Sequence, residues 1–344
     1  MQSPEFTSCD PLTGSAGGIG CVGPDLPVDL LSASGLWHGH LPWSPVPSTA
    51  WADRWLESAF PGWARRILEQ WHAGRFDGLS RVLFSRADDA SQRLYYYVQE
   101  LQRLGVLGGP RPMIFDIALL PRESSLAHTE QAVRQLAAEL GVGAEQAVAG
   151  IERVNALRNG LAAVQAARVA AGPAYEQLAR ELLCGDADRR LQEFVAPVAD
   201  PRPRVLLAGS MPPDGRLHAA IEQAGASVIA EAHVLGLGAL GPTVSRADAS
   251  PFRALAQHLR MHSVAPRSVM DRAQWLLGQV RQSRASAVVL WLTREEESLA
   301  WHVPAQRLAL KEAGVPALVL TARSWLADDG ALEEMESFCR KTFA

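Results

Sequence analysis

VVLWLTREEESLAWHVP, residues Val288 to Pro304, starts as an unbroken apolar run and then breaks into an arginine and three consecutive glutamates. A short apolar run closed by a polar loop reads as a strand buried on both faces, the kind found in parallel sheets. The flanking sequence completes the unit. Ala285–Leu292 is the strand, Pro304–Gly314 a helix with a glycine stop, and Val315–Ala322 the next strand. In such sheets ligands bind beyond the carboxyl ends of the strands. The Thr293–Glu297 loop therefore lies where chemistry usually sits. Its carboxylates either perform that chemistry or stand where it has been lost.

The same alternation extends outward. Val205–Gly209 reads as a strand, Arg216–Gly225 as a helix and Ser227–His233 as a strand. Upstream, Arg81–Ser85 is a strand, Ser91–Gly105 a helix and Pro112–Ala118 a strand, with a further helix from about Ser124, which is placed to cap it. Helices rich in Ala, Leu and Arg fill Leu126–Phe194. Ser48–Gly74 is helical, with tryptophans at packing spacing and a break at Pro61. Ala196–Arg204 holds three prolines in nine residues and reads as a linker. Alternating strands and helices imply parallel sheets with right-handed crossovers. The expected fold class is α/β, with two doubly wound Rossmann-like parallel-sheet domains and an N-terminal helical part. The expected layout is a flexible arm over 1–17, a first α/β domain with N-terminal and inserted helices over 18–195, a linker over 196–204, and a second α/β domain with a C-terminal helix over 205–344.

Composition narrows the function class. Apolar residues at 48% give ample core, and a net charge of −4 excludes the basic surface that nucleic acid requires. No run approaches about eighteen apolar residues, so no membrane span is expected. The N-terminus lacks the basic and apolar regions of a secretion signal. Cys9, Cys21, Cys184 and Cys339 form no C-x-x-C pair, so free thiols in a reducing cytoplasm are expected and a zinc site has no support.

Four strand-end loops are candidates for the site: residues 85–89, 119–123, 209–215 and 293–297. Gly209 and Ser210 precede a helix and can offer backbone N–H groups to an anion, while Ser210 or Asp214 can instead cap that helix. Arg86 and Arg122 at strand ends can meet a phosphate, or simply be solvated.

These segments resemble a known family. Pro27-Val28-Asp29-Leu30-Leu31-Ser32-Ala33-Ser34-Gly35 resembles the P-E-E-L-x-x-A-x-G segment of 2-hydroxyacyl-CoA dehydratase and benzoyl-CoA reductase subunits. Phe84–Tyr95 (FSRADDASQRLY) resembles their F-x-N-S-C-D-x-x-R-R-L-Y segment. Pro112–Asp116 with Pro121-Arg122, Leu206–Ser210 with Ile221–Gly225, and Val288–Leu320 resemble later segments in the same order. The resemblance implies one [4Fe-4S] cluster per subunit, bound by three cysteines from three loops. It also implies paired subunits and an ATP-dependent iron–sulfur activator protein. At the corresponding places this chain has Asp88, Glu296 and the neighbourhood of Gly23, with Cys21 two residues away. Clusters need soft thiolates, and carboxylates prefer harder cations.

The leading expectation is therefore a cytoplasmic subunit with no cofactor of its own, completing the active site of a related cluster-bearing partner in a heterodimer. Acyl-CoA is a candidate ligand, and neither nucleic acid nor membrane is a partner. Cys21, Ser210 and Arg122 are the candidate cofactor-binding positions, and no metal ligands are assigned. The second reading is an enzyme in its own right, using Asp88 and Glu296, with His38 or His40, around a metal or an atypical cluster. The third is a purely structural or regulatory assembly subunit. Alanine at Asp88 or Glu296 is expected to leave folding intact.

Overall fold

The computed structural model describes residues 17–167, 201–245 and 250–344, with Gln177, Arg180 and Leu183. Cys9, Cys184, the arm up to residue 16 and the linker up to residue 200 lie outside the described residues.

Two four-stranded parallel sheets organise the chain. The first contains β1 (Ile19–Val22), β2 (Trp37–His40), β3 (Arg81–Ser85) and β4 (Arg111–Phe115), in the order β2-β1-β3-β4. Helices α1 (Val28–Ser34), α2 (Gly62–His72) and α3 (Asp89–Arg103) make the crossovers, followed by α4 (Glu123–Leu140) and α5 (Ala144–Ala167). The second sheet contains β5 (Arg204–Gly209), β6 (Ser227–Ala232), β7 (Ala287–Thr293) and β8 (Ala317–Arg323), in the order β6-β5-β7-β8. Its helices are α6 (Arg216–Gln223), α7 (Pro251–Met261), α8 (Arg272–Ser283), α9 (Glu297–Ala300), α10 (Val303–Glu312) and α11 (Ala331–Thr342). The chain thus forms two Rossmann-like α/β domains.

The opening stretch behaves as its composition dictates, with every residue of β7 buried. The N-terminal part is less helical than its sequence reads. IGCV and WHGH are too short and too glycine- or histidine-bearing to show a strand pattern, yet they are β1 and β2. Pro61 occupies the N-cap of α2, where its missing N–H costs nothing. Arg122 holds the N-cap position of α4 without a side-chain bond, so Ser124 lies inside the helix and does not cap it.

One excursion crosses between the domains. Val244, Leu255 and Leu259, from the second half of the chain, join the core formed by Leu30, Leu126 and Val133 of the first. Helix α7 therefore packs on the first domain. A buried ion pair reinforces this region. Both guanidinium Nη atoms of Arg158 donate to Asp29, at 2.7 and 2.8 Å, and Arg158 Nε donates to the Leu240 carbonyl at 3.0 Å.

The seam between the domains is tight. A Cβ on Gly62 would sit 2.4 Å from the Trp325 ring. Trp43 Nε1 donates to the Pro212 carbonyl at 3.2 Å, and Trp325 Nε1 to the Met211 carbonyl at 3.1 Å. The Arg180 guanidinium lies 4.5 Å above the Trp43 ring and donates to the carbonyls of Pro212 and Pro213.

Candidate functional site

Each strand order reverses once, between β1 and β3 in the first sheet and between β5 and β7 in the second. Adjacent crossovers run to opposite faces at such a point, which opens a crevice at the strand ends. The two crevices face each other. Cys21 and Gly23 from β1, Asp88 and Ser91 beyond β3, Gly209 and Ser210 from β5, and Glu296 beyond β7 line one cavity between the domains. Four of the sequence-derived candidates, Cys21, Asp88, Ser210 and Glu296, therefore meet. Arg122 does not line this cavity: it is exposed at the start of α4, where its carbonyl accepts from Arg260 at 2.6 Å.

Asp88 is the N-cap of α3. Its Oδ2 accepts from the Ser91 N–H at 2.8 Å and from Ser91 Oγ at 2.6 Å. Burial raises the Asp88 carboxyl, and the bonds from Ser91 oppose that rise. The Ser91 side chain also fills the space beside Gly23, where a Cβ would meet Ser91 Oγ at 2.3 Å. Gly23 has φ +87°, so both its backbone and its surroundings demand glycine. No cysteine fits at position 23 while Ser91 and Asp88 hold this arrangement. The cap also revises the expectation for alanine at this position: Asp88→Ala removes a helix cap, worth about 1 kcal/mol.

Cys21 is wholly buried, and burial pushes its thiol up to about 12, with Trp37 opposing the shift. A thiol held that far above neutrality is a poor source of thiolate. Ser210 is tied into the sheet. Its N–H donates to the Trp291 carbonyl at 2.8 Å, and its Oγ accepts from the Thr293 N–H at 3.0 Å. Its backbone N–H is thus already committed, and Ser210 does not cap α6. Asp214 takes the Arg216 N–H at 3.0 Å and performs that task from the residue before the N-cap.

Glu296 faces Asp88 from the other domain. Burial, then the charges of Asp88 and Glu295, push its carboxyl up to about 8, while Arg272 pulls the other way. Asp25 is a residue that sequence reasoning missed. It sits at φ +56° after Pro24, accepts from Ser263 Oγ, and is pushed up to about 7 by burial against the opposing effects of Ser263 and Arg272. Arg272, also missed, is buried at the start of α8. No local motif marks either residue, because Ser263, just after α7, and Arg272, the first residue of α8, come from the second half of the chain. His38 is outside the cavity lining, whereas His40 is part of it.

The elevated Glu296 carboxyl has a consequence for stability. The folded chain keeps a proton that the unfolded chain releases above the ordinary value of 4.5, so stability falls as pH rises from about 4.5 to about 8. Glu296→Gln removes this contribution. Melting temperature followed from pH 5 to 9 should decline less steeply in the variant; parallel curves would show that Glu296 titrates normally.

One further cluster of histidines lies in the second domain. His218 Nε2 hydrogen-bonds the buried Glu231 carboxylate at 2.8 Å, and His233 Nε2 lies 3.1 Å from its other oxygen. Burial raises the Glu231 carboxyl, but the two imidazoles together outweigh it and hold it well below the usual range. Among the described residues, no group of three His, Cys, Asp or Glu side chains is arranged to hold a metal ion. No helix among them is long and apolar enough to cross a membrane.

One buried thiol, one capping carboxylate and one carboxylate facing another do not make the donor set of an iron–sulfur cluster. The model of the family described as 2-hydroxyglutaryl-CoA dehydratase, D-component, matches residues 26–335. A search of curated proteins gives no match.

Proposed function

Because the chain belongs to the 2-hydroxyglutaryl-CoA dehydratase D-component family, we propose that it is a dehydratase-type subunit without a cluster of its own, working beside a related subunit that carries one. The observation that supports this reading is the donor set at the strand ends. Asp88 is committed to Ser91, and the space beside Gly23 is filled by Ser91. These are the places where the family resemblance leads one to look for thiolates. Losing a cluster requires more than changing cysteines, because the vacated volume must be repacked and its polar groups satisfied. The Gly23–Ser91–Asp88 arrangement meets both requirements.

In this role the chain supplies a wall and a rigid support. The interdomain seam formed by Trp43, Arg180 and Trp325 holds the Met211–Pro213 loop, and residues 21–24, 88, 91 and 296 form part of the face presented to the cleft. Acyl-CoA binding, the partner subunit and an iron–sulfur activator protein belong to the same proposal.

The test is iron and acid-labile sulfide per chain, on full-length protein purified without oxygen, followed by co-purification from the native host. The expected result is iron far below one atom per chain and recovery of a related chain that does carry iron. Stoichiometric iron and sulfide on the isolated chain would overturn the proposal.

A further inference from the structure

A second pocket lies over the start of α4 and shares no lining residue with the interdomain cleft. Its volume is about 430 Å³, the size of a small-molecule site. Arg86 reaches it from beyond β3 and Arg267 from the segment between α7 and α8. Ser124, Ser125 and His128 of α4 complete the polar wall, with one carboxylate, Asp116.

Each guanidinium is anchored by part of its fork. Arg86 Nη1 donates to Asp116 Oδ2 at 2.6 Å, and His128 Nε2 lies 3.3 Å from the same oxygen. Arg267 Nη1 donates to the Arg86 carbonyl at 2.9 Å and to Gln92 Oε1 at 2.7 Å, and its Nη2 donates to Asp89. Nε and Nη2 of Arg86 and Nε of Arg267 make no hydrogen bond among the described residues. Asp116 and Asp89 therefore offset the two guanidiniums in charge while fixing their positions, and donor edges remain unused.

Helix α4 shifts the balance toward an anion. It has eighteen residues, and Arg122 gives it no side-chain cap. The N–H groups of Glu123 and Ser124 have no acceptor among the described residues. Such an end carries a partial positive charge. Glu123, the acid of this first turn, is engaged by Arg253 at 2.7 Å, and Arg260 donates to the carbonyls of Leu120 and Arg122 just before the helix. Ser125 is an independent sign of a ligand. It is only 8% exposed and lines the pocket, yet its hydroxyl has no hydrogen-bond partner among the described residues. Buried hydroxyls are rarely left unpaired, so its partner must enter from the pocket. The unused groups are all donors. A carboxylate brings two acceptor oxygens and one charge, whereas a phosphate monoester brings three and a charge of about −1.5 to −2.

We propose that this pocket binds a phosphate monoester of a hydroxylated small molecule. The Ser124 N–H, the Ser125 hydroxyl and the free edges of Arg86 and Arg267 hold the phosphate, and Asp116 accepts from a hydroxyl of the ester's body. None of these residues lines the interdomain cleft, so the iron measurement has no bearing on this site.

The experiment is calorimetric titration of the full chain with ribose 5-phosphate, inorganic phosphate and ribose. Ribose 5-phosphate should bind saturably, at least about tenfold tighter than ribose and more tightly than inorganic phosphate. Arg86→Gln and Ser125→Ala should each weaken it about tenfold. Alanine favours the helix, so Ser125→Ala separates ligand binding from folding. No saturable binding of ribose 5-phosphate, equal binding of ribose, or unchanged affinity in both variants would overturn the phosphate site. Inorganic phosphate binding as tightly as the ester would overturn the assignment to an organic phosphate.

Discussion

Asp29→Ala is expected to destabilise the first domain by about 3–5 kcal/mol, a large share of what a domain has to lose. Asp29 and Arg158 are both buried, their side chains 2% exposed, and the carboxylate takes two guanidinium bonds at once. Removing the carboxylate strands a guanidinium in an apolar interior, and the cost comes from that uncompensated charge more than from the lost pair. The pair also has structural reach. It joins α1 to α5, while Asn155, one turn earlier on α5, brackets Val244 by accepting from its N–H at 2.8 Å and donating to its carbonyl at 3.0 Å. Backbone approach adds to the constraint, because a Cβ on Gly150 of α5 would meet the Asp29 carbonyl oxygen at 2.3 Å. Urea unfolding followed by far-UV circular dichroism measures the loss. The double variant Asp29→Ala with Arg158→Met should recover much of it, since an apolar replacement no longer strands a charge. A loss below about 1 kcal/mol in the single variant would show that water reaches the guanidinium.

Asp29 belongs to the segment that carries the family resemblance at the N-terminus, and its part in the structure is structural. The sequence made it conspicuous without indicating why. The second sheet was legible because β5, β7 and β8 contain apolar runs; β5 and β7 are buried, whereas β8 lies at the sheet edge and is only partly covered. In the first sheet, β3 and β4 were legible for the same reason. IGCV and WHGH were not: four residues carry too little pattern, and one of the four in β1 and three of the four in β2 are glycine or histidine. The long reach of α7 was equally hidden, because amphipathic spacing shows that a face must be buried and not which domain buries it.

The site was legible to the extent that topology alone determines it. Asp88, Ser210, Glu296 and Cys21 converge because strand ends at two switch points must do so. Arg122 also follows a strand, but β4 is an edge strand, away from the reversal. Asp25, Arg272 and the role of Ser91 escaped detection because each depends on tertiary contact. Asp88 illustrates the difference. Asp three residues before a serine is a readable cap signal, yet only the packing of Ser91 against Gly23 explains why the cap excludes a thiol there.

Gly209→Ala should be the most damaging single-methyl change in the second domain. Gly209 has φ +110°, where an L-residue carries a strain of about 1–3 kcal/mol on its own. The added Cβ would also lie 2.2 Å from the Trp291 carbonyl oxygen. That oxygen cannot simply retreat, because it accepts the Ser210 N–H at 2.8 Å in the ladder between β5 and β7. Relief must come from separating the two strands at their carboxyl ends. The displacement passes directly to the site, since Ser210 Oγ holds the Thr293 N–H and Glu296 follows three residues later. Ser210→Ala is the informative control: it leaves one buried N–H without an acceptor, at about 1–3 kcal/mol, and leaves the strands in place. Thermal unfolding should therefore rank wild type above Ser210→Ala and Ser210→Ala above Gly209→Ala. If Gly209→Ala melts within a degree of the wild type, the β5–β7 junction yields more easily than its hydrogen bonds imply, and the cleft is not the rigid support that the proposed role requires.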